Sequence, residues 1–223
     1  MTKKLKLGKR KEEGIKLIKN MVNDMFIQLE TMSELSKILL ESEDKELALQ
    51  IIDEDKNMDD MMSDITIEIS NFITREQPFA QDLRIAISSL GIITDLERMA
   101  DYYKNFARFI LKGEVNSTTQ NELLNLILDE LLIRINKLQI IYDEFDHQAA
   151  KELAKKDIEI DNITKELTKN INEKLIKAVE FDEVKNLTRI LLITKVFERA
   201  GDHLVNVCEH ISYINKGQIY HYS

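Results

Sequence analysis

Apolar positions along this chain recur every three or four residues for most of its length. Ile190, Ile193, Phe197, Ala200, Leu204, Val207, Ile211 and Ile214 keep the alternating spacing of one helix face. Ile92, Leu96, Met99, Tyr103, Phe106 and Ile110 form a second stripe of the same kind. Stripes like these are the buried seams of a helical bundle, and Met58, Met61 and Met62 read as fillers of the same core. The interruptions are few. Ser42-Glu-Asp-Lys and Gln77-Pro78-Phe break the first half; the stretch Gly113 to Thr119, Asp146 and Phe181-Asp182 break the second. They predict helices near 12–42, 44–75, 80–112, 119–146, 147–178 and 183–216, each about 45 Å long at 1.5 Å per residue. Thr119-Gln-Asn-Glu122 has capping-box spacing at the start of the fourth.

The chain also repeats itself. At an offset of 101 residues, Leu90, Ile92, Glu97, Arg98, Asp101 and Asn105 fall on Leu191, Ile193, Glu198, Arg199, Asp202 and Asn206. At an offset of 102, Asp44, Ala48, Asp55 and Asp59 fall on Asp146, Ala150, Asp157 and Asp161. Lys112-Gly113 and Lys216-Gly217 close the two halves in the manner of a helix C-cap. The expected architecture is all-α: six long helices as two tandem three-helix bundles, at 12–113 and 119–217, behind a basic tail at 1–11.

Composition agrees with this. Six glycines and one proline among 223 residues leave too few turns for a sandwich or a doubly wound sheet. A net charge of −9 disfavours general nucleic-acid binding. The single cysteine, Cys208, builds neither a disulfide framework nor a Cys-rich zinc site, which suits a reducing cytoplasm. No stretch has the uninterrupted apolar length of a membrane span. Residues 1–11 hold six basic and no acidic side chains, read as a solvated tail or as attracted to anionic lipid.

Candidate chemistry lies in four carboxylate pairs four residues apart: Asp55/Asp59, Glu97/Asp101, Asp157/Asp161 and Glu198/Asp202. Like charges at that spacing repel unless a cation lies between them, and an acidic chain of this length should hold about seven such pairs by chance. Recurrence at the repeat offset is what lifts these four above chance. At 100° per residue, Glu198 and Asp202 point away from the apolar stripe of their helix, whereas Asp157 and Asp161 flank theirs. This allows a surface site with all-oxygen ligands, suited to iron, manganese, magnesium or calcium, with zinc as a borderline case. A solvated acidic face is the competing reading of the same residues.

Leu96-Glu-Arg-Met-Ala-Asp101 and Phe197-Glu-Arg-Ala-Gly-Asp-His-Leu-Val-Asn206 resemble the paired signatures of the PhoU family of phosphate-transport regulators. Gln77-Pro78-Phe-Ala-Gln-Asp-Leu-Arg84 is similar to that family's entry to the third helix. The resemblance implies a cytoplasmic, six-helix, two-repeat protein without catalytic activity, a homodimer in many members. It implies multinuclear iron or zinc clusters, one on Asp55, Asp59, Glu97 and Asp101, the other on Asp157, Asp161, Glu198 and Asp202. It also implies negative regulation of phosphate uptake and of the starvation response, in partnership with the phosphate-specific ABC transporter and its sensor histidine kinase. The first signature departs from the pattern, with Ala100 for Gly and Tyr102 for His, whereas Gly201 and His203 keep it.

Two rivals stand beside this reading. One is a helical adaptor that binds no metal. The other is a di-iron carboxylate enzyme, which needs inward-facing Glu-x-x-His motifs on two helices; only Glu144-Phe-Asp-His147 has that spacing. His203 is either an outer ligand or a plain surface histidine. Arg98 and Arg199 either pair with nearby carboxylates or grip phosphate through two nitrogens each.

Overall fold

The computed structural model describes residues 2–112 and 118–222, with side chains from Lys9 to Lys112 and from Gln120 to Tyr222. Its helices are α1 (Thr2–Ser42), α2 (Lys45–Glu76), α3 (Gln81–Leu111), α4 (Thr118–Glu144), α5 (His147–Ala154), α6 (Asp157–Leu175) and α7 (Phe181–Lys216). No strand occurs among the described residues. α1, α2 and α3 pack on one another, and α4, α5/α6 and α7 repeat that arrangement. The expected six-helix, two-repeat architecture is therefore present, with α5 and α6 as one helix broken in the middle.

Local chemistry explains the boundaries. Asp44 and Asp146, equivalent in the repeat, both cap the helix that follows: Asp44 accepts from the Glu46 amide at 2.8 Å, and Asp146 from those of Gln148 and Ala149 at 2.8 and 3.1 Å. The residue before each cap, Glu43 and Phe145, takes a left-handed φ of 51° and 48°. That costs a non-glycine residue about 1–2 kcal/mol, which the cap offsets by about 1 kcal/mol. Gly217 ends α7 at φ 68°, its amide donating to the Tyr213 carbonyl, and Arg84 Nε donates to the Ile214 carbonyl at 3.1 Å beside it. The Lys112-Gly113 cap and the Thr119 hydroxyl of the capping box lie outside the described residues.

Two expectations change. Residues expected as a tail before position 12 continue α1 back to Thr2. The helix expected over 147–178 breaks at Lys155–Lys156, where no glycine or proline marks it. The cause is tertiary: Arg134, 2% exposed on α4, donates to the Lys156 carbonyl and pairs with Asp157 and Glu159 at 3.3 and 3.2 Å. A buried guanidinium requires such partners, and the break delivers the first turn of α6 to it. The Glu144…His147 spacing straddles the α4–α5 turn, so these two side chains do not share one helix as a Glu-x-x-His motif would.

The repeats join through two antiparallel helix pairs. α3 crosses α7 with Phe197 against Phe106 and Tyr103, ring centroids 5.2 and 6.5 Å apart, all three fully buried. Tyr103 donates to Ser33 Oγ at 2.9 Å, tying α3 to α1. α1 in turn crosses α4, with Lys37 paired to Asp129 and Phe26 against Tyr142 at 5.8 Å. Tyr142 shares a hydrogen bond of 3.1 Å with Ser89 of α3.

Phe197→Ala should therefore destabilise the protein by about 3–5 kcal/mol, measured by denaturant unfolding, because one ring seals both repeats. Cys208 is buried, and burial pushes its thiol up to about 12. A thiol reagent should leave it unmodified in the native state from pH 7 to 9 and label it only on unfolding. Because the unfolded thiol releases its proton near pH 8.5 and the native one does not, its contribution to stability should decline as pH rises above that value.

Candidate metal centre

The eight carboxylates gather into two groups, the grouping that the family resemblance implies. In the first, Asp55 and Asp59 from α2 meet Glu97 and Asp101 from α3. Burial raises the Glu97 carboxyl, the Arg98 guanidinium at 3.7 Å opposes this, and the charges of Asp59, Asp101 and Asp55 add to it. Lys104, a turn beyond Asp101, places Nζ 2.6 Å from both Asp55 Oδ2 and Asp101 Oδ1. Burial pulls that ammonium down, but its two carboxylate partners outweigh burial and lift it above the ordinary lysine range. Asn105 completes the group by donating to Asp101 Oδ2 at 3.0 Å.

In the second group, Asp157 and Asp161 from α6 meet Glu198 and Asp202 from α7. Burial raises Asp157 to about 6; Arg134 opposes, while Asp161, Asp202 and Glu198 reinforce. Asp202 is raised by burial, then by Glu198 and Asp161, against His203 and Arg199. Lys165 holds Asp161 at 3.3 Å and Lys195 pairs with Glu198. The residue at the place of Lys104 is the buried Val205, so the second group has no ammonium at that position. Gly201 completes the arrangement. A Cβ there would stand 2.7 Å from Asp157 Oδ1, so any larger residue would push that carboxylate aside. Ala100 holds the same place in the first group.

The groups share one face of the molecule. Tyr102 OH lies 3.2 Å from His203 Nε2 between them. Burial raises the Tyr102 phenol, Arg199 and Arg98 oppose, and Asp101 of one group and Asp202 of the other reinforce. His203 is no plain surface histidine. Its Nδ1 lies 2.7 Å from Asp95 Oδ1, so both ring nitrogens are engaged across the α3–α7 crossing. Asp95 also accepts from Asn206 Nδ2 at 3.2 Å and faces His210 Nε2 at 3.5 Å. Burial would lift the Asp95 carboxyl, but hydrogen bonds from His203, His210 and Asn206 outweigh it and hold it below the usual range. Gly91 leaves room for this contact, since a Cβ there would come within 2.3 Å of the His210 ring.

Asp95, Lys104 and Arg134 escaped the sequence reading because their repeat equivalents do not share their chemistry. Asp95 aligns with Val196 and Lys104 with Val205. A search for differences between the repeats, rather than matches, would have found the first two. Arg98 pairs within its helix, the blander of its two readings.

Among the described residues, no three His, Cys, Asp or Glu side chains converge tightly enough to hold a metal ion as they stand. The second group nevertheless suits a hard cation: oxygen donors only, Asp157 and Asp202 raised by burial and neighbouring carboxylates, and room for the Asp157 carboxylate over Gly201. The first suits it less, because Lys104 already sits between Asp55 and Asp101.

A PhoU domain matches residues 22–110 and again 124–211. The phosphate-specific transport system accessory protein PhoU homolog of Clostridium acetobutylicum is 33% identical over 183 residues, 80% of this chain and 82% of that protein. Its counterpart in Streptococcus pneumoniae is 32% identical over 199 residues, 86% of this chain and 88% of that one. The crystal structure of the phosphate transport system regulatory protein PhoU from S. pneumoniae superimposes with a TM-score of 0.86 at 26% identity, covering 95% of this chain and 99% of that one. PhoU from Pseudomonas aeruginosa shares the fold, with a TM-score of 0.85 at 22% identity, 93% of this chain and 99% of that one. Matched in both halves, and by relatives above 30% identity along most of their length, this chain belongs to the PhoU family.

Proposed function

We propose that this chain is a cytoplasmic, non-enzymatic regulator that restrains phosphate uptake and the starvation response through a phosphate ABC transporter and its sensor histidine kinase. We further propose that its carboxylate face binds iron or zinc, with manganese or magnesium as the alternatives. The names of its relatives support the phosphate-transport role. No helix among the described residues is long and apolar enough to cross a membrane, so contact with a transporter would run through the surface of the bundle. The family resemblance further implies a homodimer, which light scattering would test.

The metal reading rests on one observation, the meeting of Asp157 and Asp161 of α6 with Glu198 and Asp202 of α7, where burial and neighbouring carboxylates raise Asp157 and Asp202. Glu198 and Asp202 on α7, with Asp157 and Asp161 on α6, would hold the cation. A bound cation supplies the positive charge that quiets their repulsion and ties α6 to α7. Arg134 orients Asp157 from behind, and Gly201 keeps the approach open. In the first group Lys104 does for Asp55 and Asp101 what a cation would do. That lysine also favours the second reading, a metal-free adaptor whose acidic face docks a basic partner.

Protein purified without a histidine tag should carry iron, zinc or manganese by elemental analysis, and Glu198→Ala with Asp202→Ala should lose most of it. The pair Glu97→Ala with Asp101→Ala should lose less. In a deletion strain, the α7 double variant should fail to repress phosphatase in rich phosphate. Absence of metal together with intact repression would leave the adaptor reading. Metal at a hundredfold excess over its dissociation constant stabilises by about 2.7 kcal/mol. That should raise Tm by roughly 5–10 °C, and Gly201→Ala should blunt the rise.

A further inference from the structure

We propose that the turn at Phe79 and the adjoining basic stretch of α1 dock this protein onto an anionic phospholipid surface. The proposal is independent of the metal reading. Phe79 is 71% exposed at the tip of the α2–α3 turn, held out by a left-handed backbone on either side of Pro78-Phe79, at Gln77 and Ala80. Lys11 Nζ lies 4.8 Å over its ring and 3.4 Å from the Gln77 carbonyl, which fixes the turn against α1. From Thr2 to Asn20, α1 has eight basic and two acidic residues on a chain of net charge −9. Lys9 and Arg10, next to Lys11 in the chain, are exposed, with Lys9 Nζ 3.9 Å from Glu13. An exposed aromatic tip flanked by lysines and arginines is the chemistry that seats in a negatively charged headgroup layer. The neighbouring groove of about 610 Å³ does not serve instead as a phosphate pocket, because Glu12, Asp82 and Asp143 balance Lys11, Lys16 and Lys19 in its walls.

The duplication supplies an internal control. Phe181 occupies the same turn of the second repeat and is 79% exposed, beside Ile176 and Val179 at 86% and 88%. Because α3 and α7 are antiparallel, that turn lies at the opposite end of the molecule. Residues 173–183 there carry four acidic and two basic side chains. Apolar exposure is common to both ends, so only charge selects between them for an anionic surface.

The chain contains no tryptophan, so Phe79→Trp and Phe181→Trp are each single fluorescent reporters in the full chain. With vesicles of phosphatidylglycerol and phosphatidylcholine, emission at position 79 should shift to the blue, and with phosphatidylcholine alone it should not. Position 181 should not shift with either. In vesicle co-sedimentation, Lys9→Gln and Arg10→Gln should each weaken binding roughly fivefold, and salt should weaken it further. No shift at 79, an equal shift at 181, or unchanged binding after both charge removals would overturn the proposal. Circular dichroism of each variant confirms that the bundle is intact.

Discussion

The antiparallel crossing of α3 and α7 is the constraint on which the rest of the molecule hangs. Phe197 of one repeat closes over Tyr103 and Phe106 of the other, so neither repeat has a complete core alone. The outward faces of the same helices carry Glu97, Asp101, Glu198 and Asp202. Burying one face therefore sets the spacing and the shared exposure of the carboxylates on the other. Asp95 adds direction to the crossing. Non-directional apolar burial tolerates a slide of one helix along another, whereas a carboxylate bonded to His203 and Asn206 at 2.7 and 3.2 Å does not.

Duplication gave the protein two copies of one carboxylate arrangement, and divergence has set them in different electrostatic states. The α2–α3 copy has an ammonium built in through Lys104, and Ala100 in place of glycine. The α6–α7 copy has Val205 and Gly201 at those positions, and there burial and neighbouring carboxylates raise Asp157 to about 6 and lift Asp202. Arg134, Lys165 and Lys195 each offset part of that repulsion, at Asp157, Asp161 and Glu198 in turn.

Much of this was legible beforehand. Stripes such as Ile190 to Ile214 and the offset that pairs Glu97 with Glu198 report local periodicity, which survives in any fold that buries one face of a helix. The break at Lys155–Lys156 was not legible, since those two lysines are good helix formers and the cause, Arg134, lies more than twenty residues away. The role of His203 stayed open between outer ligand and surface histidine, because a helical wheel shows which way a side chain leaves its own helix and nothing of what waits there.

By itself the sequence determined the helical class, the duplication, the identity of the eight carboxylates and the family signature. All of these are carried by residue type and spacing within one helix or between copies. Tertiary structure alone decided which charges meet. Lys104 reaching Asp55, Arg134 reaching Asp157, and Asp95 reaching His203 are contacts between helices. Their partners are selected by crossing geometry, and so is how far each carboxylate's charge is offset.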